Sequence, residues 1–302
     1  MLIFATKKYA YLKDKMLQDV AFREGYVTNK DFPDGERYLR IDSAVEQQDV
    51  VLIGGTISDS DTLELYDLAN GLVKYGAKSL TIVVPYFGYA TMERAVQYGE
   101  IVTAKTRAML LSSIPHAPFG NKIVLMDLHS EGIPHYFESG IRPVHLYCKP
   151  IIKEAAIEIY GHDFVLASTD AGRAKWVESL ANDMGVEAAF VFKKRLSGDE
   201  TEITGINADV QGKNVILYDD MIRTGGSILQ AAKAYKAAGA ARLSIITTHG
   251  LFNNHAFERL ADSNLFDAIY STDTHPNVLN INHKLLKVKT ISQLLCSYLS
   301  AK

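Results

Sequence analysis

This sequence predicts an α/β fold, with doubly wound parallel sheets repeated in two halves, and three observations predict it. Short apolar or β-branched runs alternate with amphipathic stretches. The runs are apolar at consecutive positions rather than at every second one, which suits sheets covered on both faces. The length of 302 residues is twice a typical domain of roughly 150. In order, the strand runs are Val50-Val51-Leu52-Ile53, Leu80-Thr81-Ile82-Val83-Val84, Ile123-Val124-Leu125-Met126, Phe164-Val165-Leu166-Ala167, Val215-Ile216-Leu217-Tyr218 and Leu243-Ser244-Ile245-Ile246-Thr247. Helical patterns cover residues 61–75, 102–113, 149–160 and 227–238. Strands and helices in alternation specify parallel sheets, whose ligands sit beyond the carboxyl ends of the strands. One set of βα units ends, and another begins, between Arg142 and Lys149. The expected domains are therefore 1–145 and 146–289, followed by an apolar stretch in 290–302 that suits a docking helix.

The composition narrows the function classes. With 47% hydrophobic and 22% charged residues and a net charge of -3, the chain has the balance of a globular protein with a substantial core. The absence of a basic block argues against nucleic acid as a partner. No apolar run approaches the ~20 residues of a membrane span. Met1-Leu2-Ile3-Phe4 lacks the basic and apolar regions of a signal peptide, so the expected location is cytoplasmic. Cys148 and Cys296 are too few and too far apart for a zinc site or a redox pair.

The most informative stretch follows the fifth strand run: Tyr218-Asp219-Asp220-Met221-Ile222-Arg223-Thr224-Gly225-Gly226-Ser227. Thr224 to Ser227, at a helix N-terminus, would offer backbone N–H groups and hydroxyls to a phosphate, with two glycines allowing close approach. Asp219 and Asp220, at the strand's end, could accept hydrogen bonds from the vicinal hydroxyls of a sugar. Alone, the glycine pair is equally a tight turn with Ser227 as N-cap; the paired acids upstream make the pattern specific. No Gly-x-x-x-x-Gly-Lys-[Ser/Thr] or Gly-x-Gly-x-x-Gly run is present, so P-loop and dinucleotide readings lack their anchor.

Together these residues resemble the ribose-5-phosphate loop of the phosphoribosyltransferase-like fold, and five other stretches resemble one branch of it in order along nearly the whole chain. That branch is the phosphoribosyl pyrophosphate (PRPP) synthetases, or ribose-phosphate diphosphokinases. Phe32-Pro33-Asp34-Gly35-Glu36 resembles the family's loop that reaches the adenine of ATP in a neighbouring subunit, which implies ATP contacts for Phe32, Asp34 and Glu36. Pro85-Tyr86-Phe87-Gly88-Tyr89-Ala90 resembles the strand end leading into the ATP-phosphate segment. Asp127-Leu128-His129 resembles the family's Asp-Leu-His, which places His129 at the metal and the ATP phosphates. Ser168-Thr169-Asp170-Ala171-Gly172 resembles the Asp-Ala-Gly turn, in which Asp170 would bind Mg2+ and ribose. Lys193-Lys194-Arg195, with the polar stretch 196–204, resembles the basic flexible loop that folds over the transferring phosphoryl group, making Lys193 and Arg195 the catalytic cations.

The resemblance implies two phosphoribosyltransferase-like domains related by a pseudo-twofold, with the site in the cleft between them and the chain's end returning to the first. It implies Mg2+ as cofactor, ATP and ribose 5-phosphate as substrates, and a homo-oligomer, a dimer or hexamer. Three positions depart from the family. Thr91-Met92-Glu93 stands where Arg-Gln-Asp is usual, leaving Arg94 as the nearest candidate to meet ATP. Arg223 replaces an aspartate in the sugar-phosphate loop, so it joins Asp219, Asp220, Thr224, Gly225, Gly226 and Ser227 as an acceptor-binding candidate. Glu46 replaces an arginine of the family's regulatory site, which argues against family-type phosphate activation and ADP inhibition. Diphosphoryl transfer to ribose 5-phosphate is the leading expectation. Transfer to a larger derivative such as ADP-ribose, a non-catalytic nucleotide-binding paralogue, and a PRPP-consuming transferase are the alternatives.

Overall fold

The computed structural model describes residues 1–169, 171–197 and 200–301, with side chains described at all of these except 171 and 193–204. The chain forms two compact units, Met1–Tyr147 together with the C-terminal segment that starts at Ser292, and Cys148–Ile291.

In the first unit the strands are β1 (Leu2–Ala5), β2 (Arg23–Glu24), β3 (Val27–Asp31), β4 (Arg37–Ile41), β5 (Asp49–Ile53), β6 (Ser79–Val84), β7 (Asn121–Met126) and β8 (Arg142–Leu146). Its helices are α1 (Ala10–Met16), α2 (Asp59–Lys74) and α3 (Thr103–Ser112). Six strands form one sheet in the order β2-β1-β5-β6-β7-β8, parallel throughout. The strand runs are buried at successive positions, from Val50 to Ile53 and from Ile82 to Val84, as a sheet covered on both faces requires. Leu65, Leu68 and Leu72 of α2, at helical spacing, pack with Leu52, Ile82 and Leu111 in its core. Outside that sheet β3 and β4 pair as an antiparallel hairpin, whose turn is the Phe32 to Glu36 stretch.

The second unit contains α4 (Lys149–Tyr160), β9 (Val165–Ser168), α5 (Ala174–Met184), β10 (Glu187–Ser197), β11 (Glu200–Ile206), β12 (Asn214–Ile222), α6 (Gly226–Ala237), β13 (Arg242–Gly250), α7 (Ala256–Asp262), β14 (Ile269–Thr272) and β15 (Leu286–Lys289). Its sheet runs β11-β10-β9-β12-β13-β14-β15, parallel except for the antiparallel pair β10 and β11. Val165, Val215, Leu217 and Ile245 meet Ile228, Ala231 and Tyr235 of α6 in its core. The last helix, α8 (Ser292–Ser300), groups with the first unit, where Lys122 Nζ lies 5.6 Å from the Tyr298 ring centroid. Among the described residues no helix is long and apolar enough to cross a membrane.

Two local differences from the sequence reading matter for function. β12 continues past Tyr218 to Ile222 because β13 stays paired with it, Asp219 opposite Thr247 and Ile222 opposite Gly250. Asp219 and Asp220 therefore lie within a strand, on a backbone held by its neighbour. Lys193, Lys194 and Arg195, read as part of a flexible loop, belong to β10 and pair with Ile203, Glu202 and Thr201 of β11. Backbone pairing along an antiparallel hairpin overrides the polar composition that suggested a loop.

Candidate active site

The turn after β12 in the second unit has the features of an anion cradle. Gly225 takes φ +74, a left-handed conformation that glycine adopts without Cβ strain, and stands at the N-cap of α6, where it offers no side-chain cap. No acid occupies the first turn of α6, and Thr224, Gly226 and Ser227 are exposed. A Cβ at Gly226 would meet nothing within 4 Å. The first N–H groups of this helix, which carry the positive end of its dipole, therefore have neither a side-chain cap nor a first-turn acid beside them. Ser227 lies inside α6 and is not its N-cap, so the plain capped turn that the sequence left open is not what forms.

The first unit supplies a contrast. After β5, Gly54-Gly55-Thr56-Ile57-Ser58 leads into α2, again a glycine pair before a helix. There Ser58 Oγ accepts from the Asp61 N–H at 3.2 Å, and Asp59 and Asp61 occupy the first turn. Two carboxylates and a filled cap make that helix start a poor anion site, in contrast to the start of α6.

Several contacts hold the cradle in shape. Arg259 of α7 donates to the Thr224 carbonyl at 2.7 Å. The N–H groups of Leu251 and Phe252 both donate to the Ile222 carbonyl at 3.0 Å, and that of Asn253 to the Arg223 carbonyl at 2.8 Å. Phe252, Asn254 and His255 in this supporting loop have positive φ, a conformation that persists only where surrounding structure imposes it. Arg223 itself is exposed.

Beneath the cradle lie the two acids. Asp220 is 2% exposed, and Arg173 Nη2 stands 2.6 Å from its Oδ2. Asp219 accepts from Thr169 Oγ1 at 3.1 Å. Burial first, and then the adjacent Asp220 charge, pushes the Asp219 carboxyl well above the usual aspartate range, against the opposing pull of Arg173 and Thr169. Trp176 stacks on Tyr218 at 4.3 Å and 17°, and the Tyr218 hydroxyl is 3.0 Å from Thr248 Oγ1. Arg173 and Trp176, three residues apart at the start of α5, thus cover the strand that carries the acids.

In the first unit the β3–β4 turn presents Phe32, 48% exposed, with Asp34 and Glu36 also exposed. The turn closes on itself: Gly35 N–H donates to the Phe32 carbonyl at 3.0 Å and Glu36 N–H to Asp34 Oδ1 at 3.1 Å. Its base is tied to α2 through buried Glu64, which accepts from Asn29 Nδ2 at 3.0 Å and lies 3.6 Å from Arg37. After β6, Gly88 N–H donates to Thr56 Oγ1 at 2.6 Å. Tyr89 follows with φ +62, under the guanidinium of Arg107 at 5.0 Å. Arg107 also pairs with Asp59 at 2.7 Å. Arg94, the cation the sequence offered here, is 79% exposed beside Glu93. At the end of β7, buried Asp127 has φ +35. Leu128 N–H donates to His145 Nε2 at 2.9 Å, so that nitrogen carries no proton and serves as an acceptor. The turn leaves His129 half-buried.

Asp219, Asp220, Arg223, Thr224, Gly225, Gly226 and Ser227 thus share one strand and turn, and Phe32, Asp34 and Glu36 share one hairpin. Asp170 and the side chains of Lys193 and Arg195 lie outside the described residues. Sequence reasoning missed Arg173, Arg259, Trp176 and Arg107. Arg173 carried a signal, three residues past Asp170 at the start of a helical pattern; Arg259 and Arg107 sit among ordinary helical polar residues and carried none.

Comparison with known proteins bears on the family and the fold. Residues 1–114 match the N-terminal domain of ribose phosphate pyrophosphokinase, and residues 170–300 the phosphoribosyl synthetase-associated domain. A ribose-phosphate pyrophosphokinase of Mycoplasma genitalium is 31% identical over 281 residues, covering 91% of this chain and 82% of that one. One from a Nostoc species is 30% identical, covering 97% and 88%. The crystal structure of phosphoribosylpyrophosphate synthetase from Mycobacterium smegmatis superposes with a TM-score of 0.88 at 28% identity, covering 99% of this chain and 98% of that one.

Proposed function

Because the chain belongs to the ribose-phosphate pyrophosphokinase family, we propose that it transfers the diphosphoryl group of ATP to the anomeric hydroxyl of ribose 5-phosphate. The anomeric oxygen forms a bond to the β-phosphorus and gives up its proton to solvent, the bond from that phosphorus to the α–β bridging oxygen breaks, and AMP leaves with the bridging oxygen. The observation that carries the reading is the uncapped, acid-free start of α6 directly after the Asp219–Asp220 strand. It joins a phosphate cradle to two sugar-hydroxyl acceptors within one βα unit.

Phosphoryl transfer needs positioning and charge neutralisation more than covalent help. Thr224, Gly225, Gly226 and Ser227 take the 5-phosphate, whose binding orients the attacking hydroxyl. Asp219 and Asp220 accept the ring hydroxyls, and Arg223 faces the acceptor from the rim. Phe32, Asp34 and Glu36 meet adenine, Arg94 and His129 meet the ATP phosphates, and Lys193 and Arg195 neutralise the moving group. His129 and Asp170 would hold Mg2+. The described residues contain no group of three His, Cys, Asp or Glu placed for a metal, and Mg2+ asks for none, since it usually takes one or two protein ligands and completes its shell with water and substrate phosphates. When bound, it withdraws charge from the phosphate oxygens.

The test is AMP formation from MgATP with ribose 5-phosphate and, in a parallel arm, ADP-ribose. AMP with ribose 5-phosphate is the expected result; AMP with ADP-ribose alone moves the acceptor to the larger derivative, and none with either removes the kinase reading. Arg259→Ala is expected to raise the KM for ribose 5-phosphate about fivefold, through loss of one hydrogen bond worth ~1 kcal/mol, and to leave the KM for ATP in place. The exposed Phe32 hairpin turn suits service to a neighbouring subunit, so sedimentation should find a homo-oligomer; a monomer at assay concentration would withdraw Phe32, Asp34 and Glu36 from the ATP site.

A further inference from the structure

We propose that Arg173 is a positioning residue for the acceptor sugar, pairing with Asp220 and so holding the Asp219–Asp220 pair in place to receive ribose hydroxyls. The inference rests on the reading of those acids as sugar-binding groups and adds the residue that makes the pair workable. Two neighbouring carboxylates under a phosphate cradle repel each other and resist ionising together. Asp220 is almost wholly enclosed, where an unpaired charge is costly. Arg173 Nη2, 2.6 Å from Asp220 Oδ2 and itself only 18% exposed at its side chain, supplies the compensating charge. Arg173 pairs with Asp220 and also pulls the Asp219 carboxyl down, against the larger upward push of burial and of Asp220.

The geometry also argues that Arg173 is held for this task. Gly172 precedes it as an exposed residue, and Trp176, one helical turn on, is anchored by its stack on Tyr218. That stack fixes the start of α5 against the strand bearing the acids, and with it the backbone from which the Arg173 side chain reaches Asp220. Arg173 touches Asp220 and acts on the sugar through the acids.

The experiment compares the wild type with Arg173→Gln and Arg173→Lys in the full chain. Ribose 5-phosphate binding is measured by calorimetry in the presence of the magnesium complex of α,β-methylene-ATP, whose transferable bond cannot break, and steady-state constants are measured with ATP. The expected result is a tenfold or greater loss of ribose 5-phosphate affinity and a matching rise in its KM for Arg173→Gln. The affinity for the ATP analogue should stay within twofold, and Arg173→Lys should regain most of the loss because it restores the charge. Unchanged ribose 5-phosphate binding in Arg173→Gln overturns the proposal. Equal losses for both ligands, or no recovery with lysine, also overturn it, because they indicate a structural role. A wild type that binds ribose 5-phosphate and makes no AMP sinks the transfer reading while leaving this one decided by binding; a wild type that binds no ribose 5-phosphate overturns this one.

Discussion

Asp219→Asn is expected to lower kcat/KM for ribose 5-phosphate about 10- to 100-fold and, at neutral pH, to raise the melting temperature. The loss follows from replacing a charged acceptor, whose hydrogen bonds are worth about 1.5–3 kcal/mol, by a neutral amide. The gain in stability follows from the same burial that makes the residue useful. Burial and the Asp220 charge raise the folded-state pKa of Asp219 above its ordinary value, so the folded protein holds this proton more tightly than the unfolded chain does. Such a group contributes stability that is complete below the ordinary aspartate range and is lost as pH rises through the raised folded value. The wild type should therefore gain stability on mild acidification through this window, and Asp219→Asn should lack that component. Denaturant titrations of both proteins at neutral and mildly acidic pH decide the matter. A variant less stable than the wild type at neutral pH would show that the Thr169 and Arg173 contacts outweigh the desolvation cost.

Gly88→Ala should be the most damaging single methyl in the first unit. A Cβ at position 88 would stand 2.1 Å from the Thr56 carbonyl oxygen, a backbone atom that cannot rotate aside. The displaced turn would also lose the 2.6 Å bond from Gly88 N–H to Thr56 Oγ1, which joins the loops after β5 and β6. Overpacking of this kind costs about 3 kcal/mol, a fall in melting temperature on the order of 6–12 °C. The KM for ATP should rise as well, because Tyr89 and the 91–94 segment leave from this turn. Gly99→Ala is the control: Gly99 has φ +90 with nothing within 4 Å of a Cβ, so it carries only the left-handed backbone penalty of about 1 kcal/mol. A Gly88→Ala protein that melts no lower than Gly99→Ala would refute the clash.

Much of the fold was legible because its signals are local. Val50 to Ile53 and Val215 to Tyr218 are apolar at every position, short and rich in β-branched residues, as a strand covered on both faces requires. The paired acids and paired glycines between Tyr218 and Ser227 announce a site because the dense local grouping of charge and conformational freedom has a specific chemical use. The β10–β11 hairpin was not legible. Lys193 to Arg195 carry no alternation, and their strand conformation depends on pairing with Thr201 to Ile203 across the hairpin. The length of β12 was hidden for a similar reason, since Met221 and Ile222 extend the strand only because His249 and Gly250 continue beside them.

By itself the sequence determined the two-part α/β plan, the family likeness and the grouping of paired acids and glycines proposed as the sugar-phosphate turn, all properties written in residues close together along the chain. Tertiary structure alone decided which charges meet. That Arg173 reaches Asp220 across 47 positions of sequence, that Arg259 braces Thr224, and that the first unit's glycine pair is closed by Ser58 and Asp61 while the second's stays open, depend on where the sheet brings separate turns together. Pattern and propensity act over a few residues, whereas electrostatic partnership is set by distance in space, which the chain acquires only on folding.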